Sequence, residues 1–307
     1  MLGGVLRPWG MQMRDADTFT DLRPYLFSIA YRMLGSVTDA EDLVQEAFIR
    51  WQGANRDEVD VPKAYLARVV TRLCIDHLRS ARVRRETYVG PWLPEPLVPG
   101  MAPDAAETAE LADSLSMAFL VLLERLSPVE RAVFLLREVF GYDYAEIART
   151  VGKSQANCRQ LAARARERVG ARRKRFEASK READVITAEF IDACLGGDRA
   201  ALLRLLAPDV TLWSDGGGQV PAARRPIIGA DKVARFLIGI TRKAEFSYEL
   251  RASEINRQPG LIVLVAGRPI AVFALDVADQ LVQGIRVVVN PAKLRAVPST
   301  PATEGTG

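Results

Sequence analysis

Residues 126–175 read LSPVERAVFLLREVFGYDYAEIARTVGKSQANCRQLAARARERVGARRKR and decide the fold of this chain. Ser127 and Glu130 have the spacing of a capping box at the start of an amphipathic helix. A short helix at Tyr144–Thr150, a turn at Gly152 and a third helix follow. This order of helix, glycine-centred turn and helix predicts a helix-turn-helix.

The outer face of the third helix combines arginine and glutamine, the side chains that form bidentate bonds with guanine and adenine edges. Four residues form this face: Gln155, Arg159, Gln160 and Arg164. Residues 144–180 contain 11 basic and 3 acidic residues. A basic helix can also be merely a solvated surface, but the turn spacing and the charge together favour contact with nucleic acid.

The composition describes a globular chain of two or three domains, with 307 residues, 49% hydrophobic residues and a net charge of +4. Residues 86–143 hold 3 basic and 10 acidic residues, so an acidic segment precedes the basic one. The sequence has no apolar run of membrane-spanning length and no signal peptide, which predicts a cytoplasmic protein.

Cysteine and histidine offer no pattern of a metal site. Cys74, Cys158 and Cys194 lie far apart in apolar helical patterns, which predicts free thiols in the core. His77 is the only histidine, and a solvated or capping role suits it best. We therefore expect no metal and no cofactor.

The N-terminal part predicts further helices around a polar loop. A capping box at Thr38–Glu41 opens TDAEDLVQEAFIRW, with Leu43, Ala47 and Trp51 on its inner face. The loop QGANRDEVDV is followed by a long basic helix that starts at Pro62. The segment Met1–Met13 has no clear pattern, and we expect it to precede the folded part.

A linker rich in proline separates this part from the helix-turn-helix. Five prolines between Gly90 and Pro103 forbid a helix and favour an extended chain. The segment Trp92–Pro96 reads WLPEP, and its tryptophan should dock on an apolar surface. Helical character is expected again from Asp104 to Leu126.

The chain beyond Lys180 predicts an α+β domain with a curved sheet. Helices are expected at Asp184–Leu195 and Asp198–Leu206, the second stopped by Pro208, with a strand at Val210–Ser214. A helix at Asp231–Ile240 and antiparallel strands follow, at Phe246–Glu254, Leu261–Ala266, Ile270–Leu275 and Leu281–Val289.

These segments, taken in order, resemble a known family. TDAEDLVQEAFIRW and the basic helix KAYLARVVTRLCIDHLRSARVRR are similar to region 2 of a bacterial extracytoplasmic-function (ECF) sigma factor of the sigma-70 family, and residues 126–169 to its region 4. WLPEP, the DGGG of Asp215–Gly218 and the NPAKL of Asn290–Leu294 resemble the SigJ-like subgroup, which carries a fused SnoaL-like domain of the NTF2-like superfamily. This subgroup usually has a basic residue after DGGG, where this chain has Gln219.

The resemblance implies a multidomain fold with two all-α sigma domains, a region 2 bundle and a region 4 helix-turn-helix, and an α+β NTF2-like cone domain. The implied segments are an N-terminal extension at 1–18, region 2 at 19–86, a linker at 87–112, region 4 at 113–178, the SnoaL-like domain at 182–296 and a disordered tail at 297–307.

The resemblance also implies partners and sites. The implied partner is core RNA polymerase, through its β′ clamp coiled coil and its β flap, and the clamp coiled coil would bind Asp42, Gln45 and Glu46. The promoter −10 element would meet the loop Gln52–Val61 and Tyr65, Arg68, Arg72, Asp76 and Arg79. The −35 element would meet Gln155, Arg159, Gln160 and Arg164, with Lys153 and Arg166 on phosphates. Regulatory contacts between domains would involve Trp92, Leu93, Pro94, Asp215, Gly216, Gly217, Gly218, Asn290 and Pro291.

Two other functions stay open. The C-terminal domain could keep a catalytic or ligand-binding activity, with Asp209, Asp215, Tyr248 and Asp276 as its polar residues. A plain helix-turn-helix repressor is the other, although it has no use for a second nucleic-acid domain. We expect a regulated sigma factor that is not an enzyme and that requires no separate anti-sigma factor.

Overall fold

The computed structural model describes residues 9–55, 59–86, 88–101, 114–170, 180–243 and 246–299. These residues divide into two compact units. The helical unit contains the described residues up to Val83 together with residues 126–168, and the mixed unit contains the others.

The elements in chain order are α1 (Trp9–Leu34), α2 (Val37–Gly53), α3 (Pro62–Glu86), α4 (Met117–Leu123), α5 (Pro128–Glu138), α6 (Tyr144–Val151), α7 (Gln155–Gly170), α8 (Lys180–Gly196), α9 (Arg199–Leu205), β1 (Leu206–Asp215), β2 (Ile227–Ile228), α10 (Ala230–Arg242), β3 (Glu249–Ile255), β4 (Gln258–Val265), β5 (Arg268–Ala278), β6 (Leu281–Val288) and α11 (Pro291–Leu294).

The first helices of the helical unit differ in two details from the sequence-based prediction. Helix α1 begins at Trp9, so residues 9–13, which were expected to precede the folded part, belong to it. Helix α2 buries Val44 with Ala47 and Trp51, whereas Leu43 is only half-buried. The predicted inner positions of Ala47 and Trp51 are thus confirmed, and Val44 takes the place predicted for Leu43.

The helix-turn-helix prediction is confirmed. The capping box of Ser127 and Glu130 is present at the start of α5, and a second one, not predicted, joins Asp143 and Glu146 at the start of α6. Gly152 ends α6 with a φ of 68°, a left-handed conformation that glycine adopts without steric cost. Helices α5, α6 and α7 share an apolar core that contains Val133, Leu136, Ile147, Cys158 and Ala162.

The mixed unit contains one six-stranded sheet in the order β2-β1-β6-β5-β4-β3. Strands β1 and β6 are parallel, and the other neighbours are antiparallel. Helices α8, α9 and α10 contribute Phe190, Leu202 and Leu237 to a core against one face of the sheet. The predicted fold class, two all-α domains and an α+β domain, is confirmed.

Two strand predictions need correction. Strand β1 begins at Leu206, directly after α9, and Pro208 lies within it instead of ending the helix. The sequence analysis missed β2, because two residues, Ile227 and Ile228, are too few for a period to be recognised.

The other face of the sheet is covered by the linker and by α4. Leu93, Val98 and Met117 pack there against the sheet in one apolar cluster. Val297, which was expected to begin a disordered tail, is 3% exposed in the same cluster. Of the long helix expected at Asp104–Leu126, the structure has α4, and residues 102–113 lie outside the described part.

Candidate nucleic-acid, polymerase and linker sites

The recognition face predicted on α7 is exposed to solvent. Its four members, Gln155, Arg159, Gln160 and Arg164, are exposed, as are Lys153 and Arg166, while Cys158 and Ala162 point into the core. The Arg159 guanidinium lies 5.3 Å from the centre of the Tyr144 ring, and its Nη2 is 3.5 Å from Gln155 Oε1. These neighbours hold Arg159 at the surface where a base edge would be read.

The two residues expected on phosphates differ in their surroundings. Lys153 follows the Gly152 turn and is exposed. Arg166 Nε lies 3.5 Å from Glu138 Oε1, so a phosphate would have to compete with this carboxylate. Of the two, only Arg166 has a carboxylate neighbour within 4 Å in the described part of the chain.

Helix α3 carries the residues expected to contact the −10 strand. The half-buried Tyr65 ring lies 5.9 Å from the Trp51 ring and beneath Arg68, whose Cζ is 5.5 Å from its centre. Arg79 Nη1 donates to Asp76 Oδ1 at 3.1 Å. The middle of the candidate loop, residues 56–58, lies outside the described part.

Arg72 has partners that the sequence did not reveal. Its Nε donates to the carbonyl oxygen of Thr150 at 2.8 Å, and its Nη2 to that of Arg149 at 2.7 Å. These carbonyls lie at the C-terminal end of α6, where the helix dipole favours a cation. A cation expected on the −10 strand is thus bound to the helix-turn-helix.

Two further contacts, one buried and one half-buried, join the N-terminal helices to the helix-turn-helix part of the helical unit. Arg131 Nη1 donates to the Met33 carbonyl oxygen at 2.6 Å, and burial lowers the pKa of this guanidinium to about 10. The Tyr25 hydroxyl donates to the Tyr142 hydroxyl at 2.8 Å, and burial raises the pKa of Tyr25. Both groups therefore keep their protons at neutral pH.

The face of α2 expected to bind polymerase combines acidic groups with an exposed apolar side chain. Asp42 and Gln45 are exposed, and the half-buried Glu46 accepts a hydrogen bond from Arg50 Nε at 3.0 Å. Ile49 is 56% exposed and lies on the same helix face, seven residues after Asp42. The sequence analysis missed Ile49 because it looked only for charge.

Asp215 is the centre of the linker site. It is completely buried, and its Oδ2 accepts from the backbone N–H of Leu93 at 2.8 Å and from Lys293 Nζ at 2.7 Å. Its Oδ1 accepts from the Tyr88 hydroxyl at 2.6 Å and from the N–H of Gly217 at 3.0 Å. The carboxylate thus joins the linker to the C-terminal domain.

Lys293 completes this site, although the sequence analysis named only Asn290 and Pro291 there. Its Nζ also donates to the Leu93 carbonyl oxygen and lies 4.3 Å from the centre of the Trp92 ring. Both Lys293 and Tyr88 were missed. The NPAKL motif contains Lys293, but its partners Asp215 and Leu93 could be recognised only in the folded chain.

The glycines after Asp215 permit close packing of the backbone against neighbouring segments. A Cβ on Gly217, whose φ is 59°, would clash with the Asn290 side chain. A Cβ on Gly218, whose φ is 72°, would lie 3.2 Å from Val89 in the linker. A Cβ on Gly216 would clash with the carbonyl oxygen of Val220. Asn290 donates to the Tyr88 hydroxyl at 2.9 Å, and Pro291 starts α11.

Of the four polar residues considered for catalysis, the two buried carboxylates form ion pairs. Asp276 is buried and paired with Arg286, as Asp215 is with Lys293. Asp209 is exposed, and Tyr248 is half-buried. Each of the two buried carboxylates therefore has a cation beside it, and neither is a free base.

The remaining sequence-based expectations concern thiols, metals and membranes. Cys74, Cys158 and Cys194 are free and buried, as predicted, and burial raises the pKa of each thiol. Within the described ranges there is no cluster of three or more histidine, cysteine, aspartate or glutamate side chains that could hold a metal. None of the described helices is long and apolar enough to span a bilayer.

Comparison with known proteins adds the following. Residues 18–84 match the family model for sigma-70 region 2, and residues 116–169 match that for sigma-70 region 4. The ECF RNA polymerase sigma factor SigJ of Mycobacterium tuberculosis is 42% identical over 231 residues, 75% of this chain and 74% of that protein. The probable ECF RNA polymerase sigma factor SigI of the same species is 36% identical over 278 residues, 89% and 92% of the two chains.

The fold comparison agrees with the sequence comparison. The crystal structure of M. tuberculosis SigJ superposes with a TM-score of 0.73 at 34% identity, covering 93% of this chain and all of that one. Nothing in these comparisons supports the expectation that no separate anti-sigma factor is required.

Proposed function

We propose, because this chain belongs to the extracytoplasmic-function (ECF) sigma factors of the sigma-70 family, that its C-terminal domain restrains its action in transcription initiation. The observation that carries this proposal is the binding of the linker to the buried Asp215 and Lys293. In this proposal the sigma regions read the −10 and −35 elements, and the C-terminal domain controls how far apart they can move.

For the −35 element, we propose that Arg159 and Arg164 read base edges from the exposed face of α7. Replacing either with alanine should cost about 1–3 kcal/mol of binding to a matched promoter and relax sequence preference. Lys153→Ala should weaken all promoters alike, because phosphates carry no sequence. Competition binding of the holoenzyme to matched and scrambled −35 elements measures this. Equal losses on both DNAs for Arg159→Ala and Arg164→Ala would remove the base-reading role.

For the −10 element, the contacts of Arg72 imply a change in arrangement. Because the two elements are named for positions −10 and −35, they lie about 25 base pairs apart, which is roughly 85 Å at ~3.4 Å per base pair. Arg72 and Arg149, which are hydrogen-bonded at 2.7 Å, cannot belong to two regions that sit on both elements at once. The arrangement described here is therefore a closed one, which must open before Arg72 can bind the DNA strand.

The linker has the length that such an opening needs. Residues 88–117 could extend to about 95 Å if nothing held them. While Leu93, Val98 and Met117 pack on the sheet, the linker cannot extend to this length. We infer that docking of the linker favours the closed arrangement, as a shift in population between two states.

The main alternative, a catalytic C-terminal domain, finds less support. Asp215 and Asp276 are each buried beside a cation, which favours a structural role for both carboxylates. We therefore propose that the chain is not an enzyme and acts without a cofactor. A plain repressor would bind its DNA without core polymerase, whereas a sigma factor would need core polymerase for promoter binding. Dependence of DNA binding on core polymerase therefore distinguishes a repressor from a sigma factor.

Removal of the C-terminal domain tests the proposal as a whole. A chain ending at Lys180 should bind −35 DNA as before, because α5, α6 and α7 are complete, but it should give more transcript in vitro with core polymerase than the full chain does. Equal transcription from the same promoter at several ionic strengths would oppose a regulatory role. The domain would then be a module that only travels with the factor.

A further inference from the structure

The turn between β3 and β4 contacts two distant segments through one residue. Asn256 has a φ of 54° and is only 1% exposed. Its backbone N–H donates to the Leu97 carbonyl oxygen at 2.7 Å, and its Oδ1 accepts from the Leu97 N–H at 2.9 Å. Its Nδ2 donates to the Leu115 carbonyl oxygen at 3.0 Å. One side chain thus binds both ends of the stretch between residues 97 and 115.

Gln258, two residues later, binds the start of α4. Its Oε1 accepts from the Met117 N–H at 2.8 Å, and its Nε2 donates to Asp276 Oδ1 at 2.5 Å. Asp276 is in turn paired with the buried Arg286, which fixes the amide of Gln258. The N–H of the first helical residue has no partner within its own helix, so the sheet supplies one.

Apolar packing reinforces these bonds. Met117 is fully buried, and with Val121 it packs in the cluster that contains Ile262 and Val272 of the sheet. The region 4 match begins at residue 116, so α4 is its first helix. Helix α4 belongs to the mixed unit, whereas α5 and α6 belong to the helical unit.

We propose that Asn256 and Gln258 form a second anchoring site of the C-terminal domain, and that its partner is the beginning of region 4 at Leu115–Met117. This site differs from the Asp215 site in what it holds: the first helix of region 4 as well as the linker. The proposal rests on the regulatory function proposed above. It adds that release of the linker at Asp215 frees only residues 88–96 and so relaxes the restraint in part, whereas complete release also requires loss of the bonds from Asn256 to Leu97 and Leu115.

Hydrogen–deuterium exchange of the full chain tests this site with Asn256→Gly. Glycine keeps the left-handed turn, so the change removes only the side chain. Amide exchange at Leu97 and in residues 115–123 should become about tenfold faster or more, since two buried hydrogen bonds are lost. Asp279→Gly is the matched control, because Asp279 has a φ of 51° in the exposed turn between β5 and β6. In the Asp279→Gly chain, the amides of these segments should exchange at the same rate as in the unmodified chain.

A second variant separates the two ends. Gln258→Met keeps the volume but loses the bond to Met117, so exchange should rise in residues 117–123 and not at Leu97. If the Asn256→Gly chain folds and its exchange in residues 115–123 is unchanged, the proposal is overturned. If the Asn256→Gly chain does not fold, unchanged exchange of residues 117–123 in Gln258→Met overturns it instead. If both ends are released while transcription does not change, the anchoring site stands and the proposed restraint fails.

Discussion

A chain carrying both Asp42→Lys and Glu46→Lys should no longer form a holoenzyme with core RNA polymerase. The two carboxylates lie on one face of α2, opposite the buried Val44, Ala47 and Trp51. We expect these carboxylates to contact a basic surface of the β′ clamp coiled coil, so charge reversal should turn attraction into repulsion without disturbing that core. We expect at least a hundredfold loss of affinity, about 3 kcal/mol or more.

Pull-down with core polymerase measures this, with circular dichroism to check the fold. Glu189→Lys with Asp192→Lys is the matched control, because both residues are exposed on one helix of the C-terminal domain. Holoenzyme formation at unmodified affinity by the α2 double variant would remove the polymerase contact from α2. Ile49→Ala should weaken binding more modestly, since it removes only the exposed apolar group.

The second large effect is expected at Asp215. Asp215→Ala deletes the acceptor of four hydrogen bonds and the buried counter-charge of Lys293. Loss of one partner of a buried ion pair costs about 3–5 kcal/mol. Because two of the four donors, Tyr88 and Leu93, belong to the linker, much of this loss should appear as release of the linker.

Amide exchange at Leu93 reports the release directly, because its N–H donates to Asp215. Asp231→Ala is the matched control, since that carboxylate is exposed beside Arg199 and Arg235, and exposed ion pairs contribute little. The Leu93 amide should exchange at least a hundredfold faster in Asp215→Ala and unchanged in Asp231→Ala. Equal protection in both variants would mean that other contacts hold the linker.

Local patterns in the sequence predicted most of the fold. Capping at Ser127 and the turn at Gly152 depend on neighbours within a few residues, so the helix-turn-helix could be placed correctly. Apolar runs separated by turn residues identified the five longer strands. The start of α1 at Trp9 and the two-residue strand β2 escaped, because neither carries a sufficient period.

The sites were predictable only in part, because their partners lie far away in the chain. Arg72 looked like a DNA contact from its outward position, but its carbonyl acceptors lie 77 and 78 residues later. Lys293 and the Leu93 carbonyl are 200 residues apart. Nothing in the sequence around Asn256 marks it as special, because its burial beneath the linker follows from packing that no local pattern encodes.

The central claim is that docking of the linker at Asp215 restrains the sigma regions. Transcription in vitro from one promoter, with core polymerase and equal amounts of unmodified, Asp215→Ala or Asp231→Ala chain, tests it most directly. We predict several-fold more transcript from Asp215→Ala and an unchanged yield from Asp231→Ala. Equal or lower yield from Asp215→Ala, with faster exchange at Leu93 and unchanged binding to core polymerase, would contradict the account.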